Sequence, residues 1–237
     1  MGIKEFPFLT SSQHHSLNID TKVTQTTPQT ITMTSTAPKK LRIAVMLESV
    51  QLSDIIGIDL FGNLSKEYVE AMQSFGPGYG AFIPHAIEME FFYLATTLEP
   101  AQMTPGLKFV PNMTYDDCPR DLDIVVVGGT YFSHRPASAD RFIKEAWPKT
   151  RVWLTTCTGS MWLASTGLLD GLKATTNREG MWAAKEMHPD VKWQDQRWVV
   201  EKKPFDGEGN GELWTAGGAG AGGFAFLLWS DCDMTAN

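Results

Sequence analysis

The stretch from Val152 to Asn177 (V-W-L-T-T-C-T-G-S-M-W-L-A-S-T-G-L-L-D-G-L-K-A-T-T-N) sets the tightest limit on how this chain can fold. An apolar, β-like run at Val152, Trp153 and Leu154 breaks into Thr-Thr-Cys-Thr-Gly-Ser. Met161, Trp162, Leu163 and Ala164 then continue in a helical pattern as far as Gly167. The expected product is a strand, a tight elbow and a helix, with Cys157 at the elbow. Backbone N–H groups at the start of a helix lack intrahelical partners, and the positive end of the helix dipole favours thiolate over thiol. A cysteine whose pKa is lowered in this way is a nucleophile. The competing reading is a buried structural cysteine, the commoner fate of a lone cysteine in a soluble protein.

Other apolar runs repeat the pattern of a buried strand followed by a polar or glycine-rich loop. Leu41 to Leu47 (L-R-I-A-V-M-L) reads as a central parallel strand, and Asp123 to Val127 (D-I-V-V-V) as another that ends in Gly128-Gly129-Thr130. Between them, Glu90 to Thr96 is a strand and Leu107 to Pro111 an edge piece. Phe75 to Glu88 is an insertion beside the site, either a pocket wall or a surface loop. After the elbow, Lys173 to Thr176 should form a short strand and Arg178 to Met187 a helix. Arg197 to Glu201 and Glu212 to Thr215 are late strands joined by a glycine-rich turn, and the run from Gly217 to Gly223 opens a helix through Phe224, Phe226 and Leu227.

Alternating strands and helices of this kind make a mostly parallel sheet covered on both faces, a flavodoxin-like α/β/α sandwich in the broad sense. Ligands of such sheets sit at the carboxyl ends of the strands. Asp54 follows the first strand, so it is either the N-cap of a helix through Ile55, Leu60, Phe61 and Leu64 or a carboxylate facing a ligand. Gly128, Gly129 and Thr130 occupy the equivalent loop after the Asp123–Val127 strand. Glycines there let backbone N–H groups approach a bound molecule, or serve a simple tight turn.

Of the 237 residues, 43% are hydrophobic, enough to bury a full core in one domain over residues 41–237. Residues 1–40 are rich in Thr, Ser, Gln and Pro, a composition that cannot bury enough surface to order itself, and read as a disordered leader. The net charge of −7, with Lys and Arg clustered no further than pairs, carries no electrostatic footprint for nucleic acid or an anionic membrane. The expected partner is a small molecule. Cys118, Cys157 and Cys232 are spaced for neither disulfides nor zinc and fit a reducing compartment, the cytoplasm by default. Cys118 reads as a packing residue, and His134 and His188 as surface residues. Neither a metal nor a cofactor is expected, and the glycine run at Gly217 lacks the Lys-Ser/Thr pair or the Gly-x-Gly-x-x-Gly spacing of a nucleotide site.

C-T-G-S-x-x-L-A-x-x-G-L-L-D-G-x-x-A-T-T resembles the nucleophile-elbow signature of the ThiJ/PfpI (DJ-1/PfpI) superfamily, and Cys157-Thr158 resembles its isonitrile hydratase branch. V-Q-L-S-D-I-I-G is similar to the segment that supplies the catalytic aspartate of that branch, which falls on Asp54. The resemblance implies an enzyme that adds water to an organic isocyanide. In it Cys157 attacks, Asp54 moves the proton, Thr158 orients the carboxylate, and Gly129 stabilises developing negative charge. It also implies a homodimer and a closing segment T-x-G-G-x-x-A-G before a long helix. Here that helix is short or the chain is cut, since S-D-C-D-M-T-A-N departs from the pattern.

Departures from the superfamily also bear on the chemistry. Asn177 stands where many members carry a histidine after A-T-T, and Thr158 stands where the intracellular-protease branch has one. Glu48 competes with Asp54, because other branches place a glutamate against the cysteine from the first loop. The alternatives are a glyoxalase or deglycase acting on a 2-oxoaldehyde, which the missing histidine weakens, and a redox-sensing module in which Cys157 is oxidised rather than turned over. A class I glutamine amidotransferase is excluded, with Thr155 in place of a required glycine and no histidine after His188.

Overall fold

The computed structural model describes residues 40–223 except Pro105. The Thr/Ser-rich leader, Cys232 and the expected helix beyond Gly223 lie outside the described residues. The strands are β1 (Leu41–Met46), β2 (Met89–Ala95), β3 (Ala101–Gln102), β4 (Lys108–Phe109), β5 (Met113–Thr114), β6 (Ile124–Val127), β7 (Val152–Thr156), β8 (Lys173–Ala174), β9 (Lys192–Trp193), β10 (Trp198–Lys203) and β11 (Gly211–Ala216). The helices are α1 (Gly57–Leu64), α2 (Lys66–Met72), α3 (Ala137–Ala146), α4 (Gly159–Ala164) and α5 (Met181–Met187).

Seven strands form one sheet in the order β10-β11-β7-β6-β1-β2-β5, parallel throughout except for β10 against β11. β1, β6 and β7 are the apolar runs that the sequence marks, and they are buried along nearly their whole length because both faces of the sheet are covered. From β1 the chain steps outward to β2, then returns across β1 to β6 and continues the other way to β7 and β11. Right-handed crossovers therefore put α1 and α2 on one face and α3 on the opposite face. The direction reverses between β1 and β6, and the crevice at the carboxyl ends of those strands is the place such a sheet offers a ligand.

α3 is not among the elements expected from the sequence, although its residues carry a helical pattern. Ala139, Phe142, Ile143 and Ala146 recur at helical spacing and are all buried. They pack an aromatic core behind β7, with the Trp153 ring 5.5 Å from Trp147 and 6.4 Å from Phe142. Some short segments differ from their expected pairing. The Leu107–Pro111 piece does not border the main sheet: β4 pairs with β3 in a separate hairpin, and β5 forms the edge. Only Lys173 and Ala174 of the next expected strand are extended, and they pair with β9 outside the main sheet. The Arg178–Met187 helix opens with a 3-10 turn at Arg178–Gly180 before α5. Within Phe75–Glu88 a 3-10 run over Pro77–His85 joins α1 and α2 around an apolar cavity of about 220 Å³, walled by Tyr68, Val69, Met72, Tyr79 and Phe82. None of Asp54, Gly129, Cys157 or Thr158 lines it.

Lys203, at the end of β10, is buried and holds the far end of α3 in place. Its ammonium donates to the carbonyls of Trp147 (2.7 Å), Thr150 (2.6 Å) and Pro204 (2.9 Å), and it lies over the Trp147 ring. Burial pushes its pKa down to about 8. Lys203→Met keeps the apolar stem but strands these carbonyls, at about 1–3 kcal/mol for a buried polar group left without its partner. Urea unfolding should report a loss of that order; a variant as stable as the wild type would mean that the carbonyls find other donors.

Candidate active site

The loops that leave β1 and β6 are laced together before either reaches the cysteine. Gln51 N–H donates to Gly129 O at 2.9 Å, Gly129 N–H donates to Asp54 Oδ2 at 3.0 Å, and Val50 forms a bridge with Thr130. Thr130 Oγ1 donates to Ser49 O at 3.0 Å. The approach is close enough to require glycine. A Cβ on Gly128 would fall 2.4 Å from Val50 Cγ1, and one on Gly129 would fall 2.5 Å from Asp54 Oδ2 and 3.0 Å from Cys157 Cβ. Asp54, Gly129 and Cys157 thus meet at one point.

Asp54 sits in a 3-10 turn, Leu52–Ile55, and is 3% exposed. It caps neither that turn nor α1: Gln51 and Ile56 hold the cap positions without side-chain caps. Its carboxyl group accepts from the neighbouring loop and lies beside Cys157, with both side chains crowding Gly129. Of the two readings open in the sequence, the helix cap is the one the structure removes.

Cys157 links β7 to α4 with φ of +57°, a left-handed conformation that costs an L-residue about 1–3 kcal/mol. Its backbone is held on both sides. Cys157 N–H donates to Ala216 O at 2.9 Å, and Cys157 O accepts from Thr176 Oγ1 at 3.0 Å and from Ser160 Oγ at 3.4 Å. Gly159 is dictated by contact as well, since a Cβ there would lie 2.3 Å from Val127 O. The late glycine run closes the site's floor: a Cβ on Gly222 would meet Thr156 Oγ1 at 2.5 Å.

The electrostatics overturn one expectation. Cys157 is not pushed toward thiolate: its pKa is raised, first by burial and then by the negative charge of Asp54 beside it. The Thr158 N–H and the Asn177 amide pull the other way and do not prevail. α4 is only six residues long, so its dipole is weak against a carboxylate in contact. The Asp54 carboxyl is raised in turn, by burial before anything else, against the lowering effects of Gly129 N–H and Cys157. A thiol pushed above its ordinary pKa rests protonated at neutral pH, here beside a buried carboxyl whose pKa is raised as well.

Thr158 stands at the same junction, its Oγ1 3.1 Å from where a Cβ on Gly129 would fall. Its hydroxyl donates to Thr130 O at 3.0 Å and accepts Thr130 N–H at 3.1 Å, tying the elbow to the β6 loop rather than reaching the Asp54 carboxyl. Glu48 is engaged by other partners: its Oε2 accepts from Thr96 N–H at 3.0 Å and from Thr96 Oγ1 at 2.7 Å, and stands 4.0 Å from His134 Nε2. His134 and His188 are partly buried rather than surface residues. The His134 ring packs edge-on against Trp162 at 5.5 Å, and burial lowers the pKa of both imidazoles. Cys118 is buried as a packing residue, its thiol pushed up to about 12. The residue whose part was underread is Asn177, read in sequence as the absence of a histidine; its Nδ2 lies 3.5 Å from Cys157 Sγ. Among the described residues no group of three or more His, Cys, Asp or Glu side chains could hold a metal, and no helix is long and apolar enough to cross a membrane.

This pairing fixes the sign of a labelling experiment. Asp54→Asn removes the negative charge that disfavours thiolate, so the Cys157 pKa falls and, at fixed neutral pH, more of it is ionised. Iodoacetamide should label Cys157 faster in Asp54→Asn than in the wild type, with the midpoint of the rate-versus-pH curve shifted downward. Site-resolved mass spectrometry reads this directly; slower or unchanged labelling would show that Asp54 does not act on the sulfur.

The profile of the DJ-1/PfpI family matches residues 65–220. An isonitrile hydratase from Pseudomonas putida is 33% identical over 137 residues, which cover 55% of this chain and 54% of that protein. The chain therefore spans about half the length of this curated relative. A solved ThiJ/PfpI family protein from Pseudomonas syringae superposes with a TM-score of 0.60 at 19% identity, over 87% of this chain and 75% of its own. An AraC family transcriptional regulator from Pseudomonas putida superposes with a TM-score of 0.58 at 14% identity, over 81% and 91% of the respective chains, a likeness of fold alone. With the strand order, the loops after β1 and β6 and the Cys-Thr-Gly turn all in one arrangement, the chain belongs to the DJ-1/PfpI family.

Proposed function

We propose that the protein is an isonitrile hydratase-like enzyme, adding water to an organic isocyanide to give an N-substituted formamide. The observation that carries this reading is the meeting of a buried carboxyl, Asp54, with the Cys157 side chain against Gly129 at the switch point of the sheet. The relative of that activity supports it. An isocyanide needs a nucleophile at its terminal carbon and a proton delivered to the same carbon, and a thiol beside a carboxyl group can supply both.

The steps balance without a cofactor. The Cys157 sulfur bonds to the isocyanide carbon while Asp54 takes the thiol proton and passes it to that carbon, leaving a thioimidate, R–N=CH–S–Cys157. Water then adds to the same carbon; Asp54 removes one of its protons, and the nitrogen gains one. The C–S bond breaks with its electron pair returning to sulfur, the proton goes back to Cys157, and R–NH–CHO departs. In this scheme Asp54 is acid and base in turn, a role that suits a carboxyl whose pKa lies above its ordinary value. Gly129 holds the carboxyl in line, and Thr158 keeps the elbow against the β6 loop. The substrate is a small molecule, the family resemblance implies a homodimer, and the cysteine usage fits the cytoplasm.

Glu48 is the base that a glyoxalase or deglycase reading would require, and its bonds to Thr96 support Asp54 instead as the carboxyl that serves the sulfur. The test is formamide formation from an alkyl or aryl isocyanide, followed by NMR. Cys157→Ala should abolish turnover, and Asp54→Asn should lower it by about 10²–10⁴-fold, the usual contribution of a general acid–base group. Glu48→Gln should cost little. An inactive Glu48→Gln beside a tolerated Asp54→Asn would reverse the carboxylate assignment and favour chemistry on 2-oxoaldehydes.

A further inference from the structure

Asn177 does two things with one amide group. It is the N-cap of the 3-10 turn Arg178–Gly180, where its Oδ1 accepts the Glu179 N–H at 2.9 Å. That bond fixes which way the amide points, because a flipped side chain would set an NH₂ group against an N–H donor. The nitrogen is left facing Cys157 Sγ at 3.5 Å. The segment bearing it is clamped from both sides. Thr175 N–H donates to Thr215 Oγ1 at 2.8 Å, Thr175 Oγ1 donates to Gln196 O at 2.9 Å, and Thr176 Oγ1 donates to Cys157 O at 3.0 Å.

We infer that Asn177 is a catalytic donor to the reacting sulfur, stabilising the negative charge on Cys157 as it attacks and again when the C–S bond breaks. This rests on the reading of Cys157 as the reacting group and extends it by one residue. Of the described residues that act on Cys157, Asp54 is the charged one, and its charge has the same sign as a thiolate. The charged neighbours in sequence, Arg178 and Glu179, are exposed, and Arg178 is paired with Asp195 at 3.0 Å. Stabilisation of the sulfur therefore falls to neutral donors, the Thr158 N–H and the Asn177 amide. An imidazole at this place could give and take protons alongside Asp54. An amide cannot, so proton exchange beside the sulfur is left to Asp54 while charge stabilisation is left to Asn177.

Two substitutions separate the donor from the cap. Ser and Asp cap a helical turn about as well as Asn, so Asn177→Ser and Asn177→Asp both keep the bond to Glu179 N–H. Neither donates to the sulfur from that position, and Asp adds a second negative charge. Iodoacetamide labelling of Cys157, read by mass spectrometry across pH, should be about three- to tenfold slower at neutral pH in Asn177→Ser, the worth of one hydrogen bond. It should be slower still in Asn177→Asp, with the midpoint of the pH curve moved upward in both. A purely structural Asn177 predicts an unchanged rate in Asn177→Ser, where the cap is kept, and faster labelling wherever the turn loosens; labelling at or above the wild-type rate in Asn177→Ser overturns the inference. The measurement needs no isocyanide. A wild-type protein that forms no formamide would fail the proposed function while leaving this result to stand on its own.

Discussion

The contact between the Asp54 carboxyl and the Cys157 thiol is the constraint that the surrounding structure serves. It brings together side chains from loops that leave different strands, and it places two acids in a buried space where neither ionises easily. Such a pair stands only if each member is held by other bonds, because an unsupported buried carboxyl would turn to water or protonate and drift. The Gly129 N–H supplies the support for Asp54, and Ala216 O and Thr176 Oγ1 supply it for Cys157. The glycines at 128, 129 and 159 follow from this crowding, each replacing a side chain for which there is no room.

The fold makes that crowding possible. β1, β6 and β7 are adjacent in the sheet and run in one direction, so their outgoing loops converge above a single crevice. The left-handed backbone at Cys157 is a local cost, borne by the packing beneath it: Trp153, Trp162 and Met161 are fully buried around the turn. A rigid base of this kind lets the loop geometry be exact where the backbone alone would relax.

Much of this was legible in the residues. Runs of Val, Ile and Leu marked β1, β6 and β7, and a cysteine between an apolar run and a helical pattern marked the turn. What stayed hidden was of other kinds. α3 went unmarked because Pro136 and the small residues at its start weaken the apolar pattern, although Phe142 and Ile143 carry it. The pairing of the two-residue strands β3, β4, β8 and β9 depends on contacts across the fold, which local patterning does not encode. The sign of the Cys157 shift was misread for a physical reason. The helix dipole can be inferred from local sequence, whereas burial and the charge of Asp54 enter only when distant segments meet. Asn177 was read as a missing histidine, since the amide's value lies in a hydrogen bond to Glu179 that orients it.

The central claim is that Cys157, half-buried beside Asp54, rests protonated in the free protein. Infrared spectroscopy of the S–H stretch tests it most directly, because a thiolate has no such band. The difference spectrum between wild type and Cys157→Ala at neutral pH isolates this thiol from Cys118 and Cys232. The account predicts a hydrogen-bonded S–H band that shifts when Asp54 is replaced by Asn. A difference spectrum without an S–H band would mean that Cys157 rests as a thiolate, and would contradict the account.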